Sequence, residues 1–395
     1  MGRLARDTPG RLSVRAGTLR GVEFELERDA FADAVAWTAR GLPSRPVVPV
    51  TAGVLLEVVD GALTVTGFDF EVANRIEVPV TDKAGGRVLV SGKLLAEIAK
   101  ALPPKDVRVA VDGNRLSVRC GAARFALPLM QVEDYPVVPD LPPRSGTVAA
   151  GVFASAVAQV TTAASKDETL PMLTGVRMQI EPERLVLAAT DRYRLAERMV
   201  PWQPAGEVPS GALVIPARTL AEAARSLGGA SEVQLAMGGD TGFVGLDAGG
   251  RQSMTRLLDG DFPKFESLWP TEPGTDAEVE TAGLIEALRR VSLVAQRFAP
   301  VRLVFSEGQV ALSAQAEDES SAEEELPAQV TGGELTIGFN ASYLLDGLTA
   351  VHTPRVRLAF TTGTRPTVIT PVYDGDAEGG EETYRYLVMS MRLRG

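Results

Sequence analysis

Three stretches of this chain are copies of one another, set a domain apart: Val88–Leu102 (VLVSGKLLAEIAKAL), Leu213–Leu227 (LVIPARTLAEAARSL) and Leu335–Thr349 (LTIGFNASYLLDGLT). Each reads as a short β-branched run, a polar break and an amphipathic helix. Matching Val90, Ile215 and Ile337 gives spacings of 125 and 122 residues. A second set, Gly61–Asp69, Glu183–Asp191 and Gly308–Ala316, repeats independently at 122 and 125. Periods of roughly 20–50 residues build solenoids. A period this long builds three whole domains of ordinary size. Tripling a domain repeats a surface, and a repeated surface supplies a repeated contact.

The period places domains at 22–143, 144–272 and 273–395, after an Arg-rich extension at 1–21. Each opens on a helix pattern: Glu27–Arg40, Ala149–Ala164 and Thr281–Phe298, with apolar residues at three- and four-residue steps. Short strands follow, then the repeated helix, then more strands. Strands outnumber helices, so the fold class is α+β with the helices gathered on one face of the sheet. Pro-rich Tyr135–Ser145 and Trp269–Asp276 read as extended connections, because proline suits neither a helix interior nor a central strand. Acidic Ala316–Glu325 occupies the place in the third domain that Phe68–Glu77 holds in the first. It is expected to be an exposed charged edge strand with its hairpin rather than a disordered segment.

Hydrophobic content of 45% supports real cores. No apolar run reaches the length of a membrane span, and residues 1–21 have no apolar block that would make a secretory signal. The single cysteine, Cys120, fits a reducing, cytoplasmic setting. Catalytic groups are scarce. There is one histidine, His352, no Cys/His metal spacing and no nucleophile elbow. The reading is of a protein without cofactor or metal that is not an enzyme; an enzyme on a borrowed scaffold would need a clustered catalytic set.

A net charge of −11 argues against wholesale nucleic-acid binding. Screening over roughly 8 Å still lets one basic lining hold DNA on an acidic protein. Basic residues sit on or beside the repeated helices: Arg40, Arg45, Lys93, Lys100, Lys166, Arg218, Arg225, Arg289, Arg290 and Arg297. Lys93 and Lys100 are seven apart, as are Arg218 and Arg225, so each pair shares a helical face. The two pairs fall on equivalent helices, which makes a basic surface repeated by symmetry.

Several motifs then converge: Ser44–Gly53 (SRPVVPVTAG), Asp167–Gly175 (DETLPMLTG), Ala189–Ala196 (ATDRYRLA), Leu258–Phe265 (LLDGDFPKF), Gly338–Leu348 (GFNASYLLDGL) and Tyr386–Leu393 (YLVMSMRL). Through them residues 22–395 resemble the bacterial DNA polymerase III β subunit, the sliding clamp, in its actinobacterial form. The resemblance implies a ring of two subunits joined head to tail, with helices lining the hole, sheets outside, and double-stranded DNA held without sequence preference. It implies linear peptides of the polymerase III α subunit and clamp loader as partners. These would enter a pocket formed by Leu173, Thr190, Arg192, Tyr193, Arg194, Leu195, Pro263, Leu268, Leu387, Met389, Ser390, Met391 and Arg392. Leucine and methionine make an adaptable floor there, while Arg194 and Arg392 are expected to anchor peptide carboxylates or carbonyls. The resemblance puts the subunit contact at Phe125 and Leu293. One departure stands out: Ser390 replaces the proline that many members carry between the two methionines. It opens a second reading, a second-copy clamp that resists a pocket-directed inhibitor.

Overall fold

The computed structural model describes residues 22–43, 45–206, 211–238, 242–270, 274–295, 299–316, 320–373 and 384–393. Residues 1–21 and Arg297 lie outside them. The chain forms two compact units. One holds residues 22–69 and 73–138; the other holds 70–72 and the chain from Pro139 onward.

In the first unit, helices α1 (Arg28–Ala39) and α2 (Gly92–Ala101) pack side by side against an antiparallel sheet. Leu95, Ile98 and Ala99 make the buried stripe of α2, while Lys93 and Lys100 point outward. Cys120 ends the strand Arg115–Cys120 and is buried. Tyr135, read as the start of an extended connection, is pinned: its hydroxyl accepts the Phe68 N–H at 2.7 Å. Burial raises its phenol pKa.

The second unit carries two copies of the same plan. Helices α3 (Ala150–Thr161) and α4 (Ala217–Leu227) pack together, as do α5 (Thr281–Val291) and α6 (Ala341–Thr349). All three sequence repeats therefore become strand, break and helix: Gly86–Ser91 into α2, Gly211–Pro216 into α4, and Leu335–Phe339 into α6. Helix α5 stops at Val291, short of the span its periodicity suggested.

One twelve-stranded sheet runs through both copies in this unit. Its joint is the antiparallel pairing of Arg194–Pro201 with Tyr384–Val388, in which Leu195 faces Leu387 and Glu197 faces Arg385. The acidic segment keeps the expected open edge over Ser321–Glu325, and the strand it begins runs on into the sheet. Strand Ser321–Thr331 lies inside this sheet, with Ala328–Thr331 paired to Thr275–Glu280 on one side and Ser321–Pro327 to Gln309–Gln315 on the other. Only its charged first half keeps an open edge among the described pairings. That half alternates exposed and half-buried residues, so its acids remain solvated without the whole strand being marginal.

Candidate functional site: a pocket at a sheet joint

The turn Thr190–Arg194 links strands Arg184–Thr190 and Arg194–Pro201. Asp191 and Thr190 build it. Asp191 Oδ1 accepts the backbone N–H groups of Tyr193 and Arg194, both at 3.0 Å. The Thr190 hydroxyl donates to the Arg194 carbonyl at 2.7 Å and accepts the Arg192 N–H at 3.1 Å. Short polar side chains that bond nearby backbone are what tight turns favour. Arg192 takes φ 78°, the left-handed region that non-glycine residues seldom enter. The turn throws Tyr193 outward, where it stacks on Tyr343 of α6 with centroids 6.0 Å apart. The Met389 N–H donates to the Tyr193 carbonyl at 2.9 Å, which ties the C-terminal strand to the same turn.

Strand alternation then sorts the side chains. Leu195 and Glu197 share one face with Arg385 and Leu387. Leu195 and Leu387 join Ala188 and Phe265 in a buried cluster, with Phe262 and Trp269 packed against it. Leu173 is also buried, while Tyr193, Leu268 and Met389 are exposed apolar groups at the rim. Pro263 and Arg392 are exposed, and Ser390 and Met391 are half-buried. Met391 forms a bridge with Gly338, its N–H donating to the Gly338 carbonyl at 2.7 Å. Of the residues expected to form the pocket, Leu195 and Leu387 meet in one buried apolar cluster, and the Tyr193 turn is bonded to Met389.

Arg194, expected as a peptide anchor, is held by the protein's own carboxylates. Its side chain is only 7% exposed and points to the opposite face, toward α6. Nε bonds Asp191 Oδ2 at 3.0 Å, Nη1 pairs with Asp346, and the guanidinium lies 4.6 Å over the Tyr343 ring. Burial opposes its charge, but Tyr386, Asp346 and Asp191 outweigh that and raise its pKa. The guanidinium and Asp346 also line a cavity of about 640 Å³. Burial also raises the pKa of Tyr386, whose hydroxyl donates to the Tyr343 carbonyl at 2.8 Å. Sequence reasoning missed Tyr343, Phe265 and Trp269. Tyr343 had a signal, since it lies inside the GFNASYLLDGL motif.

The basic set is exposed throughout its described members: Arg40, Arg45, Lys93, Lys100, Lys166, Arg218, Arg225, Arg289 and Arg290. Lys166 and Arg218 line that same cavity beside the start of α4. Several members have acidic partners. Arg218 meets Glu222 at 3.2 Å, Arg289 meets Glu286 at 2.8 Å, and Arg290 binds Glu324 from Nε at 2.9 Å. The Glu324 bond raises the Arg290 pKa, so Arg290 is the member most committed to the protein itself. Phe125 and Leu293 are both exposed, Leu293 at 85%.

Three copies of one helix-pair-and-sheet domain define a DNA-clamp architecture. Family models for the N-terminal, central and C-terminal domains of the DNA polymerase III beta subunit match residues 22–139, 147–264 and 266–391. The beta sliding clamp of Streptomyces coelicolor is 45% identical over 379 residues, covering 95% of this chain and 100% of that protein. The beta sliding clamp homolog GriR of Streptomyces muensis is 39% identical over 372 residues, covering 94% and 100%. The Pseudomonas aeruginosa sliding clamp bound to griselimycin superimposes with a TM-score of 0.86 at 27% identity, covering 94% and 100%. The chain belongs to the DNA polymerase III beta subunit family, the bacterial DNA sliding clamps, and is of actinobacterial type.

Proposed function

We propose that this chain works as a non-enzymatic ring: two copies join head to tail, encircle duplex DNA and tether the replicative polymerase, which confers processivity. The observation that carries the reading is the triplicated domain, with a sheet that runs unbroken through the second and third copies. Domain limits at 143/144 and 272/273 fit it. So does a cytoplasmic setting, and no helix among the described residues is long and apolar enough to cross a membrane. The polymerase III α subunit and clamp loader dock linear peptides in the pocket between the second and third domains. Duplex DNA meets Lys93, Lys100, Arg218 and Arg225, with the other basic residues on the same lining.

Retention on DNA tests this reading. The protein should stay on nicked circular DNA after loading and leave once the circle is linearised, because a ring holds by topology. The quadruple Ala variant at Lys93, Lys100, Arg218 and Arg225 should still be retained on circles. Its equilibrium binding to short duplex should weaken, with the log–log salt slope shallower by about one for each phosphate that is no longer neutralised. An unchanged slope would place those four residues elsewhere, and loss from intact circles by the unsubstituted protein would remove the ring reading.

A second reading, a copy that resists a pocket-directed inhibitor, is favoured by Ser390 between the rim residues Met389 and Met391, and by the relationship to GriR. Proline there would fix φ and present a rigid apolar ring. Serine removes about two methylenes of apolar surface, worth ~0.8 kcal/mol each, or roughly tenfold in affinity. Griselimycin, the ligand of the Pseudomonas clamp, should therefore bind Ser390→Pro about tenfold more tightly than the unsubstituted protein. A flexible linear peptide should change little, since Leu173, Leu195 and the methionines remain. Calorimetry with both ligands decides it; equal griselimycin affinities would remove this reading.

A further inference from the structure

The apolar floor of the pocket runs directly into a charged pair. Glu197 and Arg385 face each other across the joint, next along the strands from Leu195 and Leu387 on the same face. Arg385 donates to Glu197 Oε1 from Nε at 2.7 Å and approaches it with Nη2 at 2.6 Å. Glu197 is almost wholly buried, with its side chain 5% exposed. An arginine gripped from two nitrogens cannot rotate freely and offers a flat guanidinium face. That face lies 4.0 Å from the centre of the Trp269 ring. Trp269 in turn packs on the Leu195–Phe265–Leu387 cluster. Its indole N–H is buried without a hydrogen-bond partner among the described residues. No hydrogen bond therefore sets the orientation of the ring, which leaves that to Arg385 and apolar packing.

We propose that Glu197 and Arg385 are positioning residues for the peptide pocket: together they lock Trp269 as its wall, and the locked wall sets the fit of apolar partner side chains. The proposal rests on the reading of this pocket as the partner-peptide site. It assigns a function to a buried carboxylate and its half-buried arginine partner, which the apolar floor and the Arg194 network leave unexplained. The geometry also accounts for arginine rather than lysine at 385, since an ammonium would satisfy Glu197 but could not lie flat along an indole.

The test uses the full chain and a fluorescein-labelled acetyl-Leu-Asp-Leu-Phe peptide followed by anisotropy. Trp269 emission is isolated by subtracting the spectrum of Trp269→Phe. Arg385→Lys keeps the charge and removes the flat stack, while Glu197→Gln keeps the shape and releases Arg385. Each should weaken the peptide by about tenfold, the scale of a desolvated cation–π contact, and should shift Trp269 emission toward that of a more mobile indole. Retention on circular DNA should stay unchanged. If Glu197→Gln does not fold, Arg385→Lys carries the test alone. Variants that melt earlier yet keep the affinity and emission of the unsubstituted protein would reduce the pair to a structural tie and overturn the proposal. Failure of the unsubstituted protein to bind the peptide, or binding that survives Leu195→Asp, would remove the pocket reading itself, and that outcome is separable from the first.

Discussion

Leu293→Asp should turn the protein into a monomer that no longer stays on circular DNA. Leu293 follows α5 and is 85% exposed, and Phe125 is a second exposed apolar side chain in strand Ala123–Met130. Each belongs to a region with an open strand edge. Ala123–Pro128 pairs only with Arg115–Cys120, and Ser321–Pro327 only with Gln309–Gln315, among the described pairings. Arg290, one turn before Leu293, reaches Glu324 in the second of these strands. The first edge carries Arg124, and the second carries Glu323, Glu324 and Glu325, so the two are complementary in charge. Joining them between copies covers both edges and both apolar groups, as a closing head-to-tail contact requires. An aspartate in that contact is a carboxylate buried without a partner, which costs about 3–5 kcal/mol. The dimer should then weaken by roughly two to three orders of magnitude. Sedimentation velocity at micromolar concentration measures the change, and release from nicked circles should follow it. A stable monomer of the unsubstituted protein under the same conditions would remove the assembly argument.

Local order was open to sequence reasoning; partnership across long separations was not. The β-branched run and the three- and four-residue apolar steps around Val90, Ile215 and Ile337 are properties of consecutive residues, and all three became a strand followed by a helix. The Thr190–Arg194 turn is equally local, since its Asp and Thr bond their own neighbours, but it was read from the sequence only as part of a motif. Glu197 and Arg385 stand 188 residues apart, and nothing local in either strand names the other. Once the joint is formed, its register determines that Leu195 and Leu387 make a floor while Arg194 turns away. Arg194, expected to anchor a ligand, takes a partner the sequence does not name: alternation gives its side chain to the face opposite Leu195, and Asp346 comes from a helix in the next domain. Trp269 does lie in an extended connection, yet its ring packs on the Leu195–Phe265–Leu387 cluster, a contact that nothing local announces. The acidic segment is the exposed edge that its composition suggests, but composition does not tell that the same strand runs on to Thr331 and gains a second neighbour there. Gly347 shows the reverse case. A Cβ at that position of α6 would run into the Tyr386 ring, a demand that only the assembled joint reveals.

Arg194→Ala should be the most damaging single change at this joint. The side chain connects the second domain's turn, through Asp191, to the third domain's α6, through Asp346 and Tyr343. Removing it leaves the Asp191 carboxylate, 11% exposed, facing a void. Breaking a buried ion pair from one side costs about 3–5 kcal/mol, a large fraction of the ~5–15 kcal/mol that holds a domain folded. Asp346 is about half exposed, so water can replace it, and Arg194 keeps Asp191; Asp346→Asn should therefore cost much less. Arg194→Lys should not restore the joint, because a single ammonium cannot bridge two carboxylates in fork geometry while lying flat beneath Tyr343. Thermal denaturation should rank the variants with Ala and Lys well below Asn. Peptide affinity should follow that ranking even at temperatures where every variant is folded, because Tyr193 and Tyr343 lose the cation that orients their stack at the pocket rim. If Arg194→Ala lowers stability but binds peptide as the unsubstituted protein does, the network holds the two domains together without shaping the pocket.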